Sequence, residues 1–348
     1  MIVKFFQPGR EFELREEEYT KAWKDVRSRG DLILRKDVEE FEKEFARYIG
    51  TKYAVGLNSG TDALFIALKA IGIKEGDKVL VPSHTFVATI QVIVQLGAYP
   101  VIYDKGNEVK DIKMLIDVLK DIKAIIVAHI AGEFMCQMEE LQKFNIPVLE
   151  DACQALGAMQ NGKKAGSFGT AGAFSFYPAK ILGGPGDGGA LVTNDEKIYK
   201  FALDYRNHWK SDYSQWGINS RLDNVIAAEL NIKLARIDKT LERRREIARM
   251  YYDNLSFKGL PLITPNKTEG RVWQDFIVNF GEYRDDIYNF LKENGVETMK
   301  NEYPMPCGKL PNAAKYEAET LRLPINEVIT NEEVFYVIEK IKEFYGNS

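Results

Sequence analysis

From about residue 37 to residue 195 the chain alternates short apolar runs with stretches of helical period. The runs Tyr53–Leu57, Lys78–Val81, Pro100–Asp104, Ala124–His129, Val148–Asp151, Gly172–Phe176 and Ala190–Thr193 are mostly β-branched and apolar on both faces. That is the pattern of strands in a mainly parallel sheet covered by helices. The spacing between them predicts helices over Thr61–Ile71, Phe86–Leu96, Val109–Lys120 and Glu139–Phe144. Thr61 and Asp62 fall in the opening turn of the first, where acceptors and anions are favoured. Strand and helix in alternation predict an α/β doubly wound region that binds ligands at the carboxyl ends of its strands.

Beyond Asn194 the pattern changes. Glu196–Leu203 reads as a helix, Arg206–Ser220 as irregular, and Asp223–Asn254 as one long helical stretch carrying Val225, Ile226, Leu230, Ile232, Leu234 and Ile237. Its basic run Arg243-Arg244-Arg245 reads as a solvated face. Later come a strand at Gln274–Phe280 and helices near Asp285–Asn294 and Asn331–Tyr345. The expected organisation is a large α/β domain over 1–250 and a smaller α+β domain over 251–348, with the N-terminal segment packing on the latter. The length of 348 residues fits about two domains.

Composition narrows the function classes. Apolar residues make up 45%, ample for a large core, and the net charge of −4 offers no basic field for a nucleic acid polymer. Cys136, Cys153 and Cys307 form no CxxC pair, so a disulfide framework is not expected. His84, His129 and His208 stand far apart and read as structural groups or cofactor neighbours, with no metal site. No apolar run reaches about 18 residues, and the start turns polar by Gln7, so a cytoplasmic protein without membrane attachment is expected.

Lys180 is the most informative residue. It lies between the apolar, aromatic run Ala173-Phe174-Ser175-Phe176-Tyr177-Pro178-Ala179 and the glycine-rich Gly183-Gly184-Pro185-Gly186-Asp187-Gly188-Gly189. A poorly solvated amine there suits nucleophilic attack on a carbonyl; the alternative is a surface lysine beside a turn. Ser175 is a candidate phosphate hydroxyl. Asp151 ends an apolar run and is placed either to pair with a protonated ring nitrogen or to cap the next helix. Asn58-Ser59-Gly60-Thr61-Asp62 reads as a strand end, a glycine turn and a helix start, hence an anion site or a plain structural turn. Phe86, after Pro82-Ser83-His84-Thr85, is placed to stack on a planar ring or to join the core. A phosphate cradle, an acid and a lysine, in that order, are what a pyridoxal-phosphate (PLP) enzyme needs.

Taken together, these segments resemble the DegT/DnrJ/EryC1/StrS family of sugar-nucleotide aminotransferases, which are fold-type I PLP enzymes. The resemblance rests on NSGTDAL at 58–64, PSHTFVAT at 82–89, EDACQALGA at 150–158, KAGSFG at 164–169, AFSFYPAK at 173–180, GDGGALVTND at 186–195 and GINSRLDNVIAAEL at 217–230. It implies that Lys180 forms the internal aldimine, Asp151 partners the pyridinium nitrogen, Gln154 bonds the ring oxygen and Phe86 stacks on the ring. Gly60, Thr61 and Ser175 match phosphate positions. Asn219 matches an asparagine reaching the phosphate from a neighbouring subunit, which implies a homodimer with a shared active site. Arg221 is a candidate for a substrate carboxylate or phosphate, with an ion pair to Asp223 or a backbone contact as the alternative. Tyr303 and His208 are candidate substrate residues.

The chain departs from that family in two places. Tyr303-Pro304-Met305-Pro306 runs into Cys307-Gly308-Lys309, where a Leu-His pair is common, and Trp209 stands where glycine is typical. Trp209 reads either as a ring that reshapes the site entrance or as a surface aromatic. The resemblance implies a two-half transamination cycling through pyridoxamine phosphate, from L-glutamate, released as 2-oxoglutarate, to a nucleotide-linked keto sugar, with a lean to a 3-keto sugar. Alternatives are a 4-keto sugar, an aminocyclitol, or a non-catalytic PLP-binding regulatory protein. Sugar dehydratases of the family carry histidine in place of the lysine, so Lys180 argues against that reaction.

Overall fold

The computed structural model describes residues 1–104, 108–134, 138–255 and 270–346. Cys136 lies outside them. All seven predicted strands form, as β1 (Tyr53–Leu57), β2 (Lys78–Pro82), β3 (Tyr99–Tyr103), β4 (Ile122–Ala128), β5 (Val148–Asp151), β8 (Ala171–Ser175) and β9 (Gly189–Thr193). A short ribbon, β6 (Met159–Gln160) with β7 (Lys163–Lys164), lies between β5 and β8. The seven strands make one sheet in the order β1-β9-β8-β5-β4-β2-β3. The five strands from β8 to β3 run parallel, while β9 is antiparallel to both β1 and β8.

Alternation along each strand splits the core between the two faces. Val79, Val81, Ala124, Ile126 and Leu149 pack with Ala63, Leu64, Ala67, Ile90 and Ile93 from the helices Gly60–Ala70 and Val87–Gln95. Leu80, Ile125, Val127 and Val148 face the other way, toward Val38, Phe41, Phe45 and Ile49 of the helix Lys36–Ile49 and toward Leu230. Burial on both faces is why these runs lack a polar side in the sequence.

A third core joins Val3, Ile247, Tyr251, Trp273, Phe276, Leu291, Leu321 and Ile338. It covers the sheet β10 (Phe276–Asn279), β12 (Thr320–Leu323), β11 (Met299–Lys300), and Val3 pairs with Val296 beside it.

Two expectations change in this half. The stretch expected to be one helix is two, Asn224–Leu234 and Ile237–Leu255. The break at Ala235-Arg236 carries no glycine or proline. It lets the second helix leave the first core, which holds Leu234, Ile237 and Leu241, and enter the third through Ile247, Ala248 and Tyr251. Nor is the basic run a solvated face. Arg244 is buried and its Nη1 donates to the carbonyls of Trp273 and Ile325, each at 2.9 Å. Burial pushes its guanidinium below the usual arginine range. Arg243 bonds the Ile329 carbonyl (2.9 Å), and Arg245 pairs with Glu242 at 2.8 Å.

Candidate active site

The carboxyl ends of β8 and β5 are neighbours and that of β2 lies beyond β4 on the same edge; Ser175, Asp151 and Phe86 stand at or just past these ends. Along β8, Phe174 points into the first core with Phe176 beyond it; both meet Phe45 edge-on, at centroid distances of 5.1 and 5.2 Å. Period two then sends Ser175 to the opposite face. There it meets the start of the helix Gly60–Ala70: a Cβ on Gly60 would stand 3.1 Å from the Ser175 Cβ and 2.6 Å from the Cys153 Sγ. The helix start is thus packed closely against the end of β8. Thr61 is half-buried in that first helical turn.

The turn is held by residues without an assigned role in the sequence reading. Ser59 caps the helix, its Oγ accepting from the Asp62 N–H at 3.0 Å. Ser220 Oγ donates to Asp62 Oδ2 (2.7 Å) and accepts from the Asn58 N–H (3.1 Å), tying the 217–221 segment to the turn. Gly189 opens β9 beneath it, and a Cβ there would fall 2.2 Å from the Ser59 carbonyl carbon and 2.5 Å from the Gly60 nitrogen, both backbone atoms that cannot swing aside. The signal in the sequence was a glycine pair opening a strand. Gly189→Ala is expected to cost about 1–3 kcal/mol in urea unfolding of the cofactor-free protein. An unchanged midpoint would show that the turn yields freely.

Asp151 ends β5 and is buried. Its Oδ2 accepts from Thr89 Oγ1 at 2.7 Å and its Oδ1 from the Cys153 N–H at 3.2 Å. Thr89 in turn lies 2.8 Å from Thr85 Oγ1. Thr89 was legible only as a polar residue in the apolar helix Val87–Gln95. The Cys153 side chain packs against the start of the helix Gly60–Ala70, where a Cβ on Gly60 would stand 2.6 Å from its Sγ. Burial first, and the Asp151 charge second, push that thiol up, so it stays protonated.

Gln154 is buried, with its Oε1 accepting from the Ala131 N–H (2.8 Å) and its Nε2 donating to the Tyr303 hydroxyl (3.1 Å). This orients the amide and leaves the second N–H of Nε2 for a ligand. Burial pushes the Tyr303 phenol up to about 12, so it stays neutral. Phe86 precedes the helix Val87–Gln95 and is 54% exposed, outside the core.

Lys180 is half-buried on a loop pinned by backbone bonds: its own N–H donates to the Tyr177 carbonyl at 2.8 Å, and Gln274 bridges the Ala179 carbonyl (2.9 Å) and the Ile181 N–H (3.1 Å). It also borders a cavity of about 140 Å³ whose walls include Gln7, Glu229, Lys233 and Asn326.

Other residues depart from expectation. Glu150, which had no assigned role, is fully buried; it accepts from the N–H groups of Gly166 (2.8 Å), Phe168 (2.7 Å) and Gly169 (2.6 Å) and lies 3.0 Å from His129 Nε2. That fixes the 166–169 loop on the sheet. Trp209 is neither an entrance ring nor a surface aromatic; it packs in the second core, edge-on to Phe201 at 5.4 Å. Arg221 Nη1 donates to Asn207 Oδ1 at 3.0 Å, which is the contact made in place of one with Asp223. Asn219 and His208 are exposed on the same irregular segment, where Asn219 bridges Asn207 and the His208 N–H reaches the Ile218 carbonyl at 3.0 Å.

The chain is similar to known proteins along nearly its whole length. The model of the DegT/DnrJ/EryC1/StrS aminotransferase family matches residues 13–342. The chain is 37% identical to the dTDP-3-amino-3,6-dideoxy-alpha-D-galactopyranose transaminase of Aneurinibacillus thermoaerophilus, over 94% of this chain and 96% of that one. It is 35% identical to the pleiotropic regulatory protein of Geobacillus stearothermophilus, over 99% of each. It is similar to a solved structure of S. venezuelae DesV in complex with a ketimine intermediate, with a TM-score of 0.92 and 33% identity over 99% of this chain and 98% of that one. With its sheet, its glycine turn and its lysine loop, the chain belongs to the DegT/DnrJ/EryC1/StrS aminotransferase family.

Proposed function

We propose that this protein is a PLP-dependent aminotransferase that moves an amino group from L-glutamate to a nucleotide-linked keto sugar. The observation that carries the reading is the Asp151 carboxylate, held by Thr89 at the end of β5 and bonded to the Cys153 N–H, with Cys153 and Ser175 (five residues before Lys180) both packed against Gly60 at the helix start. The donor set suits PLP: an anion for a ring nitrogen, an amide N–H for a ring oxygen, a helix start for a phosphate and an amine for a carbonyl. When bound, PLP supplies an electron sink for the carbanion formed on the donor.

The chain's own residues do the rest. Asp151 keeps positive charge on the ring nitrogen, and Thr89 keeps the carboxylate from turning. Gly60, Thr61 and Ser175 take the phosphate at the helix start. Phe86 covers one face of the ring, and Gln154 donates to the ring oxygen. Lys180 would hold the cofactor through its amine, and the same amine, when free, would be the group placed to take or give a proton at the donor α-carbon. The cavity bordered by Lys180 supports access for a second reactant from the side of the N-terminal segment.

Asn219 is read as reaching a partner's phosphate, which makes a homodimer the active unit; its exposure supports this. His208 and Arg221 are read as substrate contacts on the same segment. We divide the chain at about residue 250, with Val3 crossing to the C-terminal core. Among the described residues no helix is long and apolar enough to cross a membrane; we read the protein as cytoplasmic. The 3-amino product named for the Aneurinibacillus relative favours a 3-keto acceptor over a 4-keto one.

A second reading, a PLP-binding regulator, is favoured by the name of the Geobacillus relative. Absorption spectroscopy separates the two. The visible band of the holoenzyme is expected to bleach on adding glutamate, with 2-oxoglutarate released, and to return with a 3-keto sugar nucleotide. A bound cofactor that ignores every amino donor would favour the regulator.

A further inference from the structure

Lys309 falls where the sequence leaves the common pattern of its family. Gly308 adopts φ +75°, a left-handed conformation that glycine tolerates, and the chain then returns inward before the helix Pro311–Glu319. The Lys309 side chain is only 13% exposed. Its Nζ lies 2.7 Å from Glu317 Oε1 and 3.1 Å from the carbonyl of Ser83, just past β2. Glu317 carries the contact onward: His84 Nδ1 lies 2.9 Å from its Oε1, and its Oε2 accepts from the Tyr303 N–H at 3.2 Å. The Arg322 guanidinium sits 4.6 Å from the centre of the Tyr303 ring. The Tyr303 hydroxyl then meets Gln154. Burial alone would push the Glu317 carboxyl up, but His84, Lys309 and the Tyr303 N–H outweigh it and hold it below the usual range. It therefore stays an anion, and both its oxygens are committed.

We propose that Lys309 is a positioning residue for the cofactor: by holding Glu317 against the Ser83 carbonyl it fixes Tyr303, and through the Tyr303 hydroxyl it fixes the amide of Gln154. This rests on the reading above in one respect, that Gln154 donates to the ring oxygen. With Tyr303 loosened only the Ala131 N–H would hold the amide, and a glutamine that rotates more often spends part of its time with its oxygen toward that atom, which repels it. The clamp thus acts on the cofactor's electronic state and affinity, not on the lysine chemistry.

The test uses the full-length protein with Lys309→Met, Lys309→Arg, Glu317→Gln and Gln154→Ala. Three quantities are read: the PLP dissociation constant, the ratio of visible to near-ultraviolet bands of bound cofactor against pH, and urea unfolding of the cofactor-free protein. Lys309→Met is expected to weaken PLP on the order of tenfold, about the loss of one hydrogen bond, and to shift the band ratio. Gln154→Ala and Glu317→Gln should shift the ratio the same way, Lys309→Arg should largely retain the wild-type ratio, and Lys309→Met combined with Gln154→Ala should add nothing further. A Lys309→Met protein that unfolds more easily but keeps the wild-type ratio and affinity overturns the proposal, as does full additivity in the double variant. If wild type binds no PLP, the cofactor reading itself fails, and the clamp falls with it.

Discussion

Lys180→Ala is expected to lose turnover by at least about 10²–10⁴-fold, the scale of a positioned proton-transfer group, while the fold survives. The reason for survival is local. The Lys180 loop is held by the Tyr177 carbonyl and by both ends of the Gln274 amide, none of which involves the lysine side chain. Among the described residues its amine makes no hydrogen bond or ion pair that truncation would break. Stability should therefore move by only about 0.5 kcal/mol. Borohydride reduction of the holoenzyme followed by peptide mass mapping checks the attachment directly. A cofactor adduct is expected on Lys180 in wild type and on no residue of the variant. Near-normal transamination by the variant would overturn the assignment.

Replacing Asp151 by asparagine is expected to be the second largest loss. The amide keeps the shape but removes the charge, and it accepts with one oxygen where the carboxylate accepts with two. Either Thr89 Oγ1 or the Cys153 N–H then faces an NH₂ group. Removing a preorganised charge from the place where charge develops costs on the order of 10²–10³ in kcat. Thr89→Val should cost less, about tenfold or below, because it frees the carboxylate without neutralising it. Single-turnover kinetics with glutamate measure the step concerned. A rate within threefold of wild type for Asp151→Asn would mean that the ring charge is set elsewhere.

Much of this site was legible before folding because its chemistry is carried by short segments at strand ends. Phe174, Ser175 and Phe176 alternate, so a strand assignment alone places the serine opposite the phenylalanines. Asp151 closes a run too apolar to be anything but buried. The partners were not legible. Thr89 reaches Asp151 across 62 positions, Gln154 meets Tyr303 across 149, and Lys309 meets Ser83 across 226. Pattern within one segment carries no record of what lies across a sheet from it. Glu150 is the clearest case: in sequence it is a carboxylate beside an aspartate, and only the fold brings three N–H groups of residues 166–169 to it.

The sequence by itself determined the seven strands, the burial of all but the edge strand β3, and the order of glycine turn, acid and lysine. Those follow from period and composition, which act over a few residues. Tertiary structure decided the break before Ile237, the burial of Arg244 and Trp209, and the network behind Gln154. Each of these depends on which polar groups lose water together, and that is settled only when distant segments close on one another.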